Sequence, residues 1–258
     1  MEDDLSKESV TRGLETRFVG KRIIFYSKIA STMEVARRKA LQGAPEGTVV
    51  ITDEQTAGKG RIERIWLSPK GCIALSVILY PKMAYLSSLI MVASLAVAHA
   101  IKEVTGLQSQ IKWPNDVLIN GKKVSGILIE SGVRDNNIDY AVIGVGINVN
   151  LEAACLGNVA SPATSLSDEL GKNVSRLEIV RRLLPEIERS YLLAQDSKVV
   201  YQEWRDSLET LGRKVRASSG GRIYEGIAES IAEDGSLLLR CPDGRLTRIL
   251  AGDVTLQK

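Results

Sequence analysis

The chain has 258 residues, 44% of them hydrophobic, enough for one sizeable domain and a small second one. Lys and Arg total 34 against 31 for Asp and Glu, a formal charge of +3 that is too slight to mark a nucleic-acid or membrane surface. Cys72, Cys155 and Cys241 are odd in number, far apart and without metal-ligand spacing, which argues against a disulfide framework or zinc site and suits a reducing cytoplasm.

The acidic N-terminus MEDDLSKESVTRG lacks the apolar stretch of a signal peptide. Residues 21–29 contain the β-rich run RIIFY. Ser31-Thr32-Met33-Glu34 then has the form of a helix capping box, predicting a helix over 32–42 that ends at Gly43. Residues 47–53 and 72–80 read as buried strands. They flank a polar, glycine-rich loop, DEQTAGKGRIERIWLSPKG.

The apolar run 86–101 falls short of the roughly 20 residues a membrane span needs and reads as a buried helix continuing to about Val104, with His99, the only histidine, in a packing role. In KWPNDVLINGKKVSGILIES, Asn120-Gly121 between β-rich runs predicts a hairpin with a type I′ turn. Residues 140–149 read as a further strand, and helices are expected over 176–195 and 199–210. Beyond Leu211 the short runs RKVRA, RIYEGIAESI, SLLLRC and LTRIL, with Asp234-Gly235 and Asp243-Gly244 as turns, predict a small β-barrel.

Three clusters could carry chemistry. In the 53–71 loop, Gly58 and Gly60 let backbone amides approach an anion while Lys59, Arg61 and Arg64 add charge. Its spacing is not that of a P-loop, and Trp66 could stack on a base or anchor the loop. Lys112, Asn115, Asp116, Lys122 and Lys123 share one hairpin, a pattern that by itself reads more readily as an exposed edge than as a site. Gly144-x-Gly146 matches a dinucleotide fingerprint only in part, and such glycines also serve close packing.

Taken together and in this order, STM, EQTAGKGR followed by W-x-S-P-x-G, KWPNDVLINGKKVSGILIE and IGVGINVN resemble the biotin protein ligases over most of the chain. The resemblance implies an α+β fold: a class II aminoacyl-tRNA-synthetase-like mixed sheet flanked by helices, plus a C-terminal SH3-like barrel. The division expected is an N-terminal segment 1–20, a catalytic domain 21–210 and a barrel 211–258. It further implies an enzyme that joins biotin and ATP, with Mg2+, into biotinyl-5′-AMP and transfers biotin to a lysine of a biotin carboxyl carrier domain. No fixed metal ligand is expected, the magnesium arriving with ATP.

Carried onto this sequence, the resemblance implies biotin contacts from Ser31, Thr32, Met33, Gln55, Gly58, Lys59, Gly60, Arg61, Lys123, Gly126 and Gly144. Arg64, Trp66, Asn115, Lys123, Gly146 and Asn148 fall to ATP and the adenylate. Arg61, Lys123, Lys112 and Asp116 are the catalytic candidates. Met33, Lys59 and Glu63 depart from the family pattern, and lysine in place of arginine at 59 keeps the charge but loses the guanidinium fork.

The 53–71 loop is expected to act as a lid over the adenylate. About twenty residues before the first strand leave no room for a helix-turn-helix, so no specific DNA binding is expected. A homodimer is implied. Alternatives from other classes are a non-catalytic biotin or nucleotide sensor, a nucleic-acid-binding protein and a lipoate-type acyl ligase.

Overall fold

The structure, a computed structural model, describes residues 3–62, 64–152, 162–196, 198–250 and 252–256; Glu63 and Cys155 lie outside these. The short apolar runs form one seven-stranded sheet. Its strands are β1 (Ile23–Tyr26), β2 (Val49–Thr52), β3 (Ile73–Leu79), β4 (Gln110–Lys112), β5 (Asp116–Ile119), β6 (Lys122–Arg134) and β7 (Asn137–Ile147). Their spatial order is β1-β2-β3-β7-β6-β5-β4. β1 and β2 are parallel, joined by the crossover helix α2 (Thr32–Leu41), and every other pair is antiparallel.

Alternation along the strands decides what each face meets. Ile73, Leu75, Val77, Ile127, Ile143, Val145 and Ile147 point to one side, where they join α3 (Leu89–Thr105) and α5 (Arg176–Asp196) in the main core. Ile78, Leu128 and Val142 point to the other and meet Met33, Ala36 and Ala40 of α2. α2 is short and covers only part of that face. The remainder is left to the 53–71 loop.

The N-terminal residues join the same core: Leu5, Val19 and Val10 of α1 (Lys7–Thr11) are all buried. Arg176 ties them down. Its guanidinium reaches Asp3 at 2.5 Å, Asp53 at 2.9 Å and the Cys72 carbonyl at 3.2 Å, joining the N-terminus, the root of the loop and β3.

The fold expected from the sequence is met, with local differences. Asn120 and Gly121 both have positive φ, as the predicted hairpin turn requires. A second such turn, at Asp135 (φ 47°) and Asn136 (φ 62°), extends β6 and β7 well beyond the expected segments. The helix expected over 199–210 stops early, as α6 (Val199–Asp206), because residues 207–209 leave it to hydrogen-bond with Ile111 at the outer edge of β4. His99 is half-buried among charges rather than apolar neighbours, with Nδ1 3.1 Å from Glu186 and Nε2 2.7 Å from Glu203.

After α4 (Leu166–Leu170), α5 and α6, the chain forms an antiparallel five-stranded sheet: β8 (Lys214–Ser219), β9 (Arg222–Ile231), β10 (Leu237–Arg240), β11 (Leu246–Ile249) and β12 (Asp253–Leu256). Its order is β11-β10-β9-β8-β12, and β12 had no counterpart among the predicted runs. The Trp113 indole N–H donates to the Gly235 carbonyl at 2.8 Å, fastening this sheet to the seven-stranded half.

Candidate active site

On the face that α2 leaves open, the register places Ala74, Gly146 and Gly126 side by side across β3, β7 and β6. The absent side chains make a floor. A Cβ at Gly146 would lie 2.4 Å from the Trp66 indole, one at Gly126 3.1 Å from it, and one at Gly144 2.4 Å from Met33 Sδ. Glycine at these positions lets an indole and a thioether rest directly on the backbone. Above the floor is a cavity of about 630 Å³, within the range of small-molecule sites.

At one end stands the N-terminus of α2. Ser31 occupies its cap position but makes no capping hydrogen bond, and its buried Oγ has no partner among the described residues. The capping box is therefore not formed. Gln55 from the loop substitutes, its Oε1 accepting from the Thr32 amide at 2.8 Å and from Thr32 Oγ1 at 3.1 Å. Ser76 Oγ on β3 donates to Thr32 Oγ1 at 2.9 Å, completing a polar relay into the sheet.

The loop folds over the cavity and is fastened at several points. Gln55 pairs in bridge fashion with Ile29 and Ser68, and Lys59 with Ile65. Gly58 permits this closeness, since a Cβ there would meet the Trp66 carbonyl oxygen at 2.4 Å. Lys59 Nζ lies 2.8 Å from Glu34 on α2, a hydrogen bond that holds the Glu34 carboxyl below its usual range. Arg61 Nη1 donates to Asn115 Oδ1 at 2.9 Å and lies 3.8 Å from Asp253, which also pairs with Arg64. Burial lowers the Arg61 pKa, while the neighbouring Asp253 and Asp116 oppose the shift.

The hairpin closes the other side. Between β4 and β5 the chain turns through Trp113-Pro114, and Asn115 Nδ2 donates to the Ile127 carbonyl at 2.9 Å. Lys123 Nζ is 2.6 Å from Asp116 Oδ1 and 5.4 Å from the centroid of Trp66. The ammonium is thus held between a carboxylate and an aromatic face. Asn148, almost fully buried, donates to the Thr164 carbonyl at 3.0 Å.

Of the residues singled out in the sequence, Thr32, Met33, Gln55, Lys59, Gly60, Arg61, Arg64, Trp66, Asn115, Asp116, Lys123, Gly126, Gly144, Gly146 and Asn148 line this one cavity. Ser31, Gly58 and Lys112 do not line it. Sequence reasoning missed Ser76, Leu128 and Asp253. A lone hydroxyl inside the apolar strand CIALSVILY could have flagged Ser76, whereas nothing local distinguishes Asp253.

Residues 25–148 match the biotin/lipoate A/B protein ligase family, and residues 210–256 match the biotin protein ligase C-terminal domain. The bifunctional ligase/repressor BirA of Bacillus subtilis (strain 168) is 34% identical over 258 residues, covering 98% of this chain and 79% of the relative. A biotin acetyl-CoA-carboxylase ligase of Paracoccus denitrificans is 34% identical, covering 80% of this chain and 90% of the relative. The structure of biotin protein ligase from Aquifex aeolicus in complex with biotin and ATP superposes with a TM-score of 0.77 at 31% identity, covering 92% of this chain and 99% of that one. The chain belongs to the biotin protein ligase family.

Proposed function

We propose that this protein activates biotin with ATP to biotinyl-5′-AMP and passes the biotinyl group to one lysine of a biotin carboxyl carrier domain. The observation that carries the reading is the position of Lys123: its ammonium stands over the glycine floor within the same cavity as Arg61 and Asn115, held by Asp116 at 2.6 Å. A carboxylate attacking an α-phosphate brings like charges together, so fixed cations at that point lower the barrier more than they favour the ground state.

In this reading biotin's rings occupy the end lined by Thr32, Met33, Gln55, Leu128 and Gly144, where a hydroxyl and an amide meet apolar walls. Ser31 supports that end from beneath. The biotin carboxylate points to Lys123 and Arg61; its oxygen bonds to the α-phosphorus as pyrophosphate leaves. Trp66, Gly146 and Asn148 take the adenine end, with Arg64 toward the phosphates. Asp116 orients Lys123. Lys112 contributes at most a longer-range field.

In the second half-reaction the neutral amine of the acceptor lysine bonds to the acyl carbon, the acyl carbon–oxygen bond breaks so that AMP departs, and the surplus proton leaves the nitrogen to solvent. The loop, closed through Gln55, Lys59 and Arg61, keeps water from the mixed anhydride in the meantime.

Magnesium would enter on the nucleotide. Among the described residues no group of three or more His, Cys, Asp or Glu converges, and the cavity carboxylates Asp116 and Asp253 are each engaged by a cation. Such a donor set suits an ion carried by phosphates, whose charge it neutralises when bound. The reading includes a homodimer in the cytoplasm. Cys72 is buried and free, and burial pushes its thiol pKa up to about 12, leaving it unreactive.

The test is biotin-dependent exchange of radiolabelled pyrophosphate into ATP, followed by mass spectrometry of a carrier domain incubated with enzyme, ATP, Mg2+ and biotin. One added biotinyl group on one lysine is expected. Biotin binding without exchange would instead identify a sensor.

A further inference from the structure

Asp253 is, among the described residues, the only part of the C-terminal sheet that lines the cavity. It opens β12, opposite Ser218 of β8. The preceding Gly252 permits that seat, since a Cβ there would lie 2.1 Å from the Ser218 carbonyl oxygen. From this position the two carboxylate oxygens divide between two guanidinium groups: Oδ2 pairs with Arg64, and Oδ1 lies 3.8 Å from Arg61. The same Arg61 nitrogen, Nη1, also donates to Asn115 Oδ1 at 2.9 Å, which leaves the rest of that guanidinium without a contact to either.

We propose that Asp253 is a positioning residue for the ATP half-reaction, holding Arg61 and Arg64 over the phosphate end of the cavity. This inference rests on the biotin-adenylating reading above. Two arginines three positions apart in a glycine-rich loop repel one another, and Arg64 is 57% exposed, with Asp253 the only carboxylate its side chain pairs with among the described residues. Without a carboxylate between them, that side chain would sample solvent and have to be ordered when nucleotide arrives.

A guanidinium carries five N–H donors, so one edge can rest on Asp253 while the other stays free for a phosphate. Asp253 therefore aims the arginines without consuming their capacity to bind anions. The biotin end at Gln55 and Thr32 is served by other contacts and should not register its loss.

The experiment measures pyrophosphate exchange for Asp253→Ala, Asp253→Asn and Asp253→Glu, each alone and in an Arg64→Ala background. Asp253→Ala is expected to raise the ATP KM ~10-fold, equivalent to about 1.4 kcal/mol. The biotin KM and the melting temperature should be unchanged, and Asp253→Glu should recover most of the loss. In the Arg64→Ala background the same change should add less than ~2-fold, the mark of a shared interaction. If Asp253→Ala destabilises the fold, the near-isosteric Asp253→Asn carries the comparison.

An unchanged or lowered ATP KM would overturn the proposal, the latter by making Asp253 a competitor of the nucleotide. So would an equal rise in both substrates' KM. Absence of exchange in the unaltered enzyme would sink the adenylation reading itself, before any variant is compared.

Discussion

Lys123 and Gly144 make the residue-scale tests, because one supplies charge and the other supplies space. Replacing Lys123 with Gln removes a preorganised cation while roughly keeping side-chain length, and adenylation is expected to slow about 10²- to 10³-fold. Biotin binding by calorimetry should weaken far less. Gly144→Val places carbon where Met33 Sδ would be 2.4 Å away. The valine pushes Met33 aside and narrows the cavity that both residues line, so biotin affinity should fall roughly tenfold, read by the same titration. Neither effect could be sized from the sequence. The glycines and lysines were legible as types, but what rests on each glycine depends on side chains from α2 and the loop. Ser31 shows the reverse case: its capping-box pattern was present, yet the loop's Gln55 took the role, since a tertiary acceptor bonds the Thr32 amide at 2.8 Å.

At the scale of elements, α3, α5 and α6 meet around His99. Its ring lies between Glu186 and Glu203, with Arg189 also on Glu186 at 2.8 Å. Donating a hydrogen bond to Glu186 raises the His99 pKa, burial opposing it, while His99 draws the Glu186 carboxyl down to about 2. A raised histidine contributes stability that is complete below its unfolded value of 6.5 and is lost as pH climbs through the folded value. A depressed carboxylate contributes above 4.5 and loses that contribution as pH falls toward 2. The melting temperature of the native protein should therefore exceed that of His99→Gln most between pH 4.5 and 6.5, with the gap narrowing on either side. A gap that widened into alkali would contradict this arrangement. Legibility followed the same division between local and distant. Strands, the Asn120-Gly121 turn and the long helices carry their signals in adjacent residues. The Asp135-Asn136 turn also has such a signal, since both residues tolerate positive φ, and could have been read. The early end of α6 and the existence of β12 could not. Each depends on pairing with chain far away in sequence, at Ile111 and at β8.

At the scale of the molecule, Arg176 joins three distant segments through Asp3, Asp53 and the Cys72 carbonyl. It is only 8% exposed, so Arg176→Ala would leave a carboxylate without its counter-ion. Asp3 and Asp53 are themselves partly exposed and can be solvated, so the loss should be about 1–3 kcal/mol in urea unfolding. The seven-stranded sheet carries a further consequence. Residues 207–209 hydrogen-bond with Ile111 along the outer side of β4, whereas β1 pairs with β2 alone among the described strands. One end of the sheet is therefore sealed and the other is open. Two copies joined β1 to β1 by a twofold axis would use up the open end of both, whereas head-to-tail addition has no second edge to continue from. The homodimer proposed above would be served by this arrangement, and sedimentation at rising concentration is expected to stop at the dimer.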